Sequence, residues 1–234
     1  MRFPSRILGG NAVFALIGAA ALLTICAGAV AVITAFGNTP DSAWEKAAQA
    51  VNWYSLMVGI SLAQSYLPVY LAHGQTRRRF GAQAAVAIGV FGPLLAALVT
   101  AGYLIESGIY RLIGWSQVLT RPHVFDEATQ VPLVFLEYLI EFLAWLTAGA
   151  FIGSGFYRWG LGGLLTIPVA VGLVVLAEGA IGTELRLPIL PHAIGVDVPQ
   201  SLGTTLGVGL GTFLVGLALT WLIIRDIPVR NPKS

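Results

Sequence analysis

Glu137 and Glu141 stand four residues apart inside a long apolar stretch, with Trp145 a further turn along and Glu178 in the next stretch. On a helix this spacing puts both carboxylates on one face. At 1.5 Å per residue from the start of the stretch near Val131, Glu137 falls about 9 Å and Glu141 about 15 Å along the axis. A carboxylate in hydrocarbon costs on the order of a few kcal/mol unless it is protonated or paired. Two like charges one turn apart also repel, so at least one of the two is expected to be protonated or hydrogen-bonded across helices. Three uses remain open: polar bonds between helices, the lining of a translocation cavity for a cationic or amphipathic substrate, and a proton relay. No basic residue falls within any apolar stretch to form a matched ion pair.

Other chemistries lack their residues. Zinc proteases of membranes need His-Glu-x-x-His, whereas His73, His123 and His192 are isolated in or beside loops. Glutamate proteases of the prenyl-processing kind carry an adjacent glutamate pair and histidines on later spans, and the sequence has neither. Gly153-Ser154-Gly155 has the wrong spacing for a nucleophile elbow. A phosphate-binding loop needs a lysine after its glycines, but Lys46 and Lys233 follow none. Cys26 is the single cysteine, which excludes an internal disulfide and a cysteine metal site. The net charge of +2, with no basic helix, gives no footprint for nucleic acid. No catalytic residue, metal ligand set or cofactor site is therefore expected in the chain.

The elements that position these residues are six apolar stretches, at about 8–36, 51–72, 81–105, 131–153, 161–183 and 203–224. Each has the roughly 20 residues a helix needs to cross hydrocarbon. Charged residues make up 10% of the chain and mean hydropathy is +0.81, far from a soluble composition. The expectation is an all-α, polytopic membrane protein with about six transmembrane helices in one domain, 1–234. The first stretch follows Arg2 and Arg6 but is too long for a signal peptide, and reads as a retained span.

Basic residues sort by side. With six spans, Arg2, Arg6, Arg77, Arg78, Arg79, Arg158, Arg225, Arg230 and Lys233 share one side, and Lys46, Arg111, Arg121 and Arg186 the other. The positive-inside rule puts the first set, and both termini, in the cytoplasm. The external segments then include a short helix over 43–50 with Trp44 as an interfacial anchor. A second short helix over 107–116 lies along the surface, and a segment over 184–200 is broken by Pro188, Pro191 and Pro199.

The first cytoplasmic link reads Pro68-Val-Tyr-Leu-Ala-His-Gly-Gln-Thr-Arg-Arg-Arg-Phe80. As a bare charge pattern it is a topology anchor at the inner headgroups. Its order of residues, with Gly74, Thr76, Arg77, Arg78 and Phe80 in place and Arg79 at the variable position, resembles the permease subunits of the type-2 class of bacterial ABC exporters. The six-span layout, cytoplasmic termini and length are similar too. The resemblance implies that His73, Gly74, Thr76, Arg77, Arg78, Arg79 and Phe80 contact a separate P-loop ATPase subunit, with the 154–160 link as a further contact. ATP would be bound by that partner. It implies a homodimer, or a heterodimer with a similar permease, in the bacterial cytoplasmic membrane among its lipids. The substrate is not legible.

Gly203, Gly207 and Gly211 recur at four-residue steps in the last span, and Gly81, Ala85 and Gly89 in the third. Both rows suit close helix packing within the chain or a dimer seam. Pro68, Pro93 and Pro168 are expected to kink their spans. Two other functions fit the same residues: a non-transport assembly, immunity or regulatory subunit whose arginines set topology, and a proton-coupled carrier using Glu137, Glu141 and Glu178.

Overall fold

The computed structural model describes residues 9–18, 21, 24–25, 41–115, 117–185, 194–196, 198 and 201–227. The helices are α1 (Gly9–Gly18), α2 (Ala43–Ser61), α3 (Leu67–Ala72), α4 (Arg77–Leu112), α5 (Val131–Trp159), α6 (Thr166–Ala180) and α7 (Leu202–Ile224). Four helical stretches are long and apolar enough to cross a membrane: Ala43–Ala72, Arg77–Leu112, Val131–Ala180 and Leu202–Ile224. Most of the first expected span, Cys26, and Pro188, Pro191 and Pro199 lie outside the described residues.

Hydroxyl caps start three of the helices. Ser42 accepts from the Glu45 amide (3.2 Å), Thr76 from Arg79 (3.3 Å) and Ser201 from Thr204 (3.1 Å), satisfying amides that have no partner inside a helix. Between α2 and α3 the ladder widens into a π turn over Leu62–Tyr66. Pro68 is the cause in reach, since it has no amide to donate into the regular pattern. Pro168 falls in the first turn of α6 rather than kinking a span, because the amides there are unpaired in any helix. Pro93 lies inside α4, which remains one helix.

Two expected surface helices are corrected. The 43–50 segment is continuous with the second span as the start of α2, and 107–112 is the end of α4. No helix breaker separates either from its neighbour. Trp44, expected as an interfacial anchor, is buried; its indole donates to the Val99 carbonyl (2.9 Å) and its ring fills the space above Gly102.

α5 is the central post, packed against α2, α4, α6 and α7. Gly59 of α2 meets Gly149 of α5 so closely that a Cβ on either would overlap the other helix's backbone. Gly160, at φ 60°, lets the chain reverse into the 3-10 turn Gly160–Leu165, after which α6 returns along α5. Thr166 lies on Gly155 and the Trp145 indole reaches Glu178. The expected 154–160 link is thus the last turns of α5, with Ser154 and Gly155 buried.

The last span packs through other glycines than expected. Gly209 receives Ile140 and Gly216 receives Thr147, whereas Gly207 and Gly211 face open space and Gly203 meets only its own cap residue, Ser201, among the described residues. In α4, Gly81 lies under Trp221 and Gly89 faces open space.

Candidate functional site

Side-chain contacts sort the bundle into two ends. Gly81 beside Trp221, and Arg158 donating to the Ile223 carbonyl (3.3 Å), bring the start of α4 and the ends of α5 and α7 together. This end carries Arg77, Arg78, Arg79, Arg158 and Arg225, with Asp226 paired to Arg225 at 3.2 Å. The start of α2, the end of α4, the 113–130 segment and the start of α5 form the other end.

At the arginine end the turn is fixed from both sides. Gly74, at φ 74°, closes α3 with its amide on the Leu71 carbonyl (3.0 Å), and Gln75 donates to Tyr70 (3.1 Å). His73 bonds the Val69 carbonyl through Nδ1 (2.7 Å), so it finishes the helix rather than reaching away. Phe80 is fully buried, edge-on to Tyr70 at 5.5 Å, while Arg78 and Arg79 are exposed and Arg77 is half-buried. The motif therefore anchors on an aromatic and presents cations. A cavity of about 400 Å³ opens beside it, lined by Arg78, Phe80, Gly81, Trp221 and Ile224 among others.

At the other end the structure assembles a buried polar cluster. Glu137, Glu141 and Glu178 lie together, at 1%, 2% and 2% exposure, and Glu45 joins them from α2. The 117–124 segment folds inward over them. Thr120 and Arg121 donate their amides to Glu45 (both 2.8 Å), and the Thr120 hydroxyl adds a third bond (3.0 Å). His123 bonds Glu137 through Nδ1 (2.6 Å), and the Val124 amide donates to the other oxygen (2.8 Å). Asn52 donates to Glu141 (2.6 Å). Glu178 accepts from the Trp145 indole (3.2 Å) and from the Thr183 hydroxyl. Arg121 reaches in among Glu141, Glu178 and Glu137, its nearest oxygen 3.9 Å away on Glu178.

A fifth carboxylate ties the same end. Glu106 of α4 accepts from the Ser42 hydroxyl (2.5 Å), the Trp44 amide (2.9 Å) and Gln117 (2.5 Å). It thereby joins α4 to the start of α2 and to the inward-folding segment. Beneath it, the Tyr103 and Tyr138 hydroxyls bond at 2.7 Å.

No basic residue lies within the apolar stretches, but Arg121 and His123 reach the glutamates from a loop. Reading the chain by apolar stretches missed them, and placed Glu45 outside the bundle. The signal was Ser42-Ala-Trp-Glu45, a capping-box spacing. In the structure Ser42 does cap the Glu45 amide, but the Glu45 carboxylate turns to Thr120 and Arg121 instead of back to Ser42. Among the described residues no group of histidine, cysteine and carboxylates is placed to hold a metal ion.

Burial alone would lower the His123 pKa, but the hydrogen bond to Glu137 and the charge of Glu45 push it up to about 9. A raised folded pKa gives stability that is fully present below the unfolded value of about 6.5 and lost as pH rises through 9. Thermal unfolding in detergent is therefore expected to show a stability loss between those pH values in the native chain. His123→Gln should flatten that dependence.

No family model matches this chain, and no curated protein or solved structure matches it either.

Proposed function

We propose that the chain is the membrane-spanning permease subunit of an ABC exporter, forming the path while a separate P-loop ATPase docks at the arginine end. In this reading the chain has six spans, the arginine end faces the cytoplasm by the positive-inside rule, and a second copy or a similar subunit completes the path in the bacterial plasma membrane. The observation that carries it is the build of the Gly74–Phe80 turn. A capped turn with a buried aromatic and outward arginines can receive a carboxylate-bearing partner and pass on a push. α4 begins in that turn and runs unbroken for 36 residues, about 54 Å of helix. Its far part carries Glu106, which grips α2 and the inward-folding segment. Displacement of the turn would thus reach the opposite end through one rigid element.

The proton-coupled carrier draws support from the Glu45, Glu137, Glu141, Glu178 and His123 cluster, and the same experiment separates it. The tagged chain is purified from its native membranes in mild detergent beside an Arg77/Arg78/Arg79→Glu variant. A P-loop ATPase is expected with the native chain and absent from the folded variant. A carrier or a non-transport subunit brings down no ATPase with either.

A further inference from the structure

Four carboxylates converge on the outer end of the bundle from α2, α5 and α6, and Arg121 and His123 are the cations placed among them by the described residues. The cluster also leaves one acceptor and one ring nitrogen unused. Asn52, at 6% exposure, gives its amide nitrogen to Glu141, but its Oδ1 has no hydrogen-bond partner among the described residues. His123 Nε2 is equally unpartnered, with Glu45 beyond hydrogen-bond distance at 3.7 Å. A buried acceptor without a donor, beside an excess of carboxylates, calls for a group rich in N–H donors and positive charge. The side chain that fills this role holds it loosely. The Arg121 guanidinium approaches Glu178 at 3.9 Å, with no hydrogen bond between the two side chains, whereas its backbone amide is firmly bonded to Glu45. Arginine binds carboxylate best as a two-bond fork at about 2.7–2.9 Å, and that geometry is not used here.

We propose that Glu141, Glu178 and Asn52 form a binding site for a monovalent organic cation, a guanidinium or ammonium group carried by the transported molecule, and that Arg121 occupies it as an internal surrogate. A ligand cation that makes the missing fork displaces the Arg121 side chain and lifts the 117–124 segment from the end of the bundle. The exchange replaces one buried cation by another, and the ligand's two-bond fork offsets the bonds to Glu45 and Glu137 that the segment gives up as it lifts. As a substrate site the inference rests on the permease reading; binding of the cation does not, and it is measured without any ATPase.

The probe is methylguanidinium chloride, titrated into the purified full-length Cys26→Ala chain at constant ionic strength. Tetramethylammonium, which has no N–H donor, is the control, and thermal unfolding is the readout. A saturable rise in midpoint is expected with methylguanidinium alone. Arg121→Gln, which vacates the place, should saturate at about tenfold lower concentration, because the closed state no longer competes. A disulfide between Asp41→Cys and Val118→Cys, which are bridge partners at the edge of the segment, should abolish the response until it is reduced. Three results overturn the proposal: no saturable response in the Cys26→Ala chain, an equal response to tetramethylammonium, or an undiminished response in the oxidised disulfide form. The disulfide arm leaves Glu141, Glu178 and Asn52 intact, so it decides the question even where Arg121→Gln does not fold.

Discussion

Replacing Gly149 by valine is expected to destabilise the chain by about 3 kcal/mol, the upper part of the usual range for overpacking a core. The reason is the contact between α2 and α5. A side chain at 149 would enter the Leu56 carbonyl and the Gly59 backbone, neither of which can swing aside as a side-chain tip does. Separating the two helices would also loosen Asn52 from Glu141, a bond across the same interface. Gly207→Val is the matched control, since Gly207 faces open space and should tolerate the change. The comparison is read as the midpoint of unfolding by sodium dodecyl sulfate for the two variants beside the native chain.

Truncating Glu45 to alanine is expected to cost a similar amount, about 3–5 kcal/mol, the range for removing one member of a buried charged network. Its carboxylate receives the amides of Thr120 and Arg121 and the Thr120 hydroxyl, and all three would lose their acceptor. The 117–124 segment would then be held through Glu137, Glu106 and the longer Arg121–Glu178 ion pair. Proteolysis at the exposed Thr120 is expected to quicken in Glu45→Ala well before global unfolding, and Glu45→Gln, which keeps an acceptor, should lie between the two.

Apolar helices and the shared face of Glu137 and Glu141 were legible in the sequence for physical reasons; that Glu178 lies beside them was not. Apolar stretches of membrane length admit few other backbones, and a Glu137–Glu141 spacing of one turn fixes a shared face. Pro68 also announced a disturbance where the π turn occurs. What was not legible depended on a loop. Hydropathy marks Arg121 and His123 as polar and leaves them outside, and it carries no information that a loop will turn inward to neutral the charge of residues far away in sequence. Glu45 was misplaced for the same reason: its three donors come from a segment about 75 residues downstream. The packing glycines were illegible for a different reason. Gly203, Gly207 and Gly211 form the more regular row, but regular spacing marks a face without saying what covers it. Gly209 and Gly216, on another face of α7, are the ones that receive α5.

The reading of the chain as a permease stands on whether an ATPase sits at the Arg77–Arg79 turn. The decisive measurement is the amount of P-loop ATPase recovered per permease from native membranes, for the native chain and for Arg77/Arg78/Arg79→Glu, with folding of both verified by unfolding midpoint. The account predicts a stoichiometric ATPase with the native chain and its loss from the folded variant. An ATPase missing from the native chain, or retained in full by the variant, would contradict it.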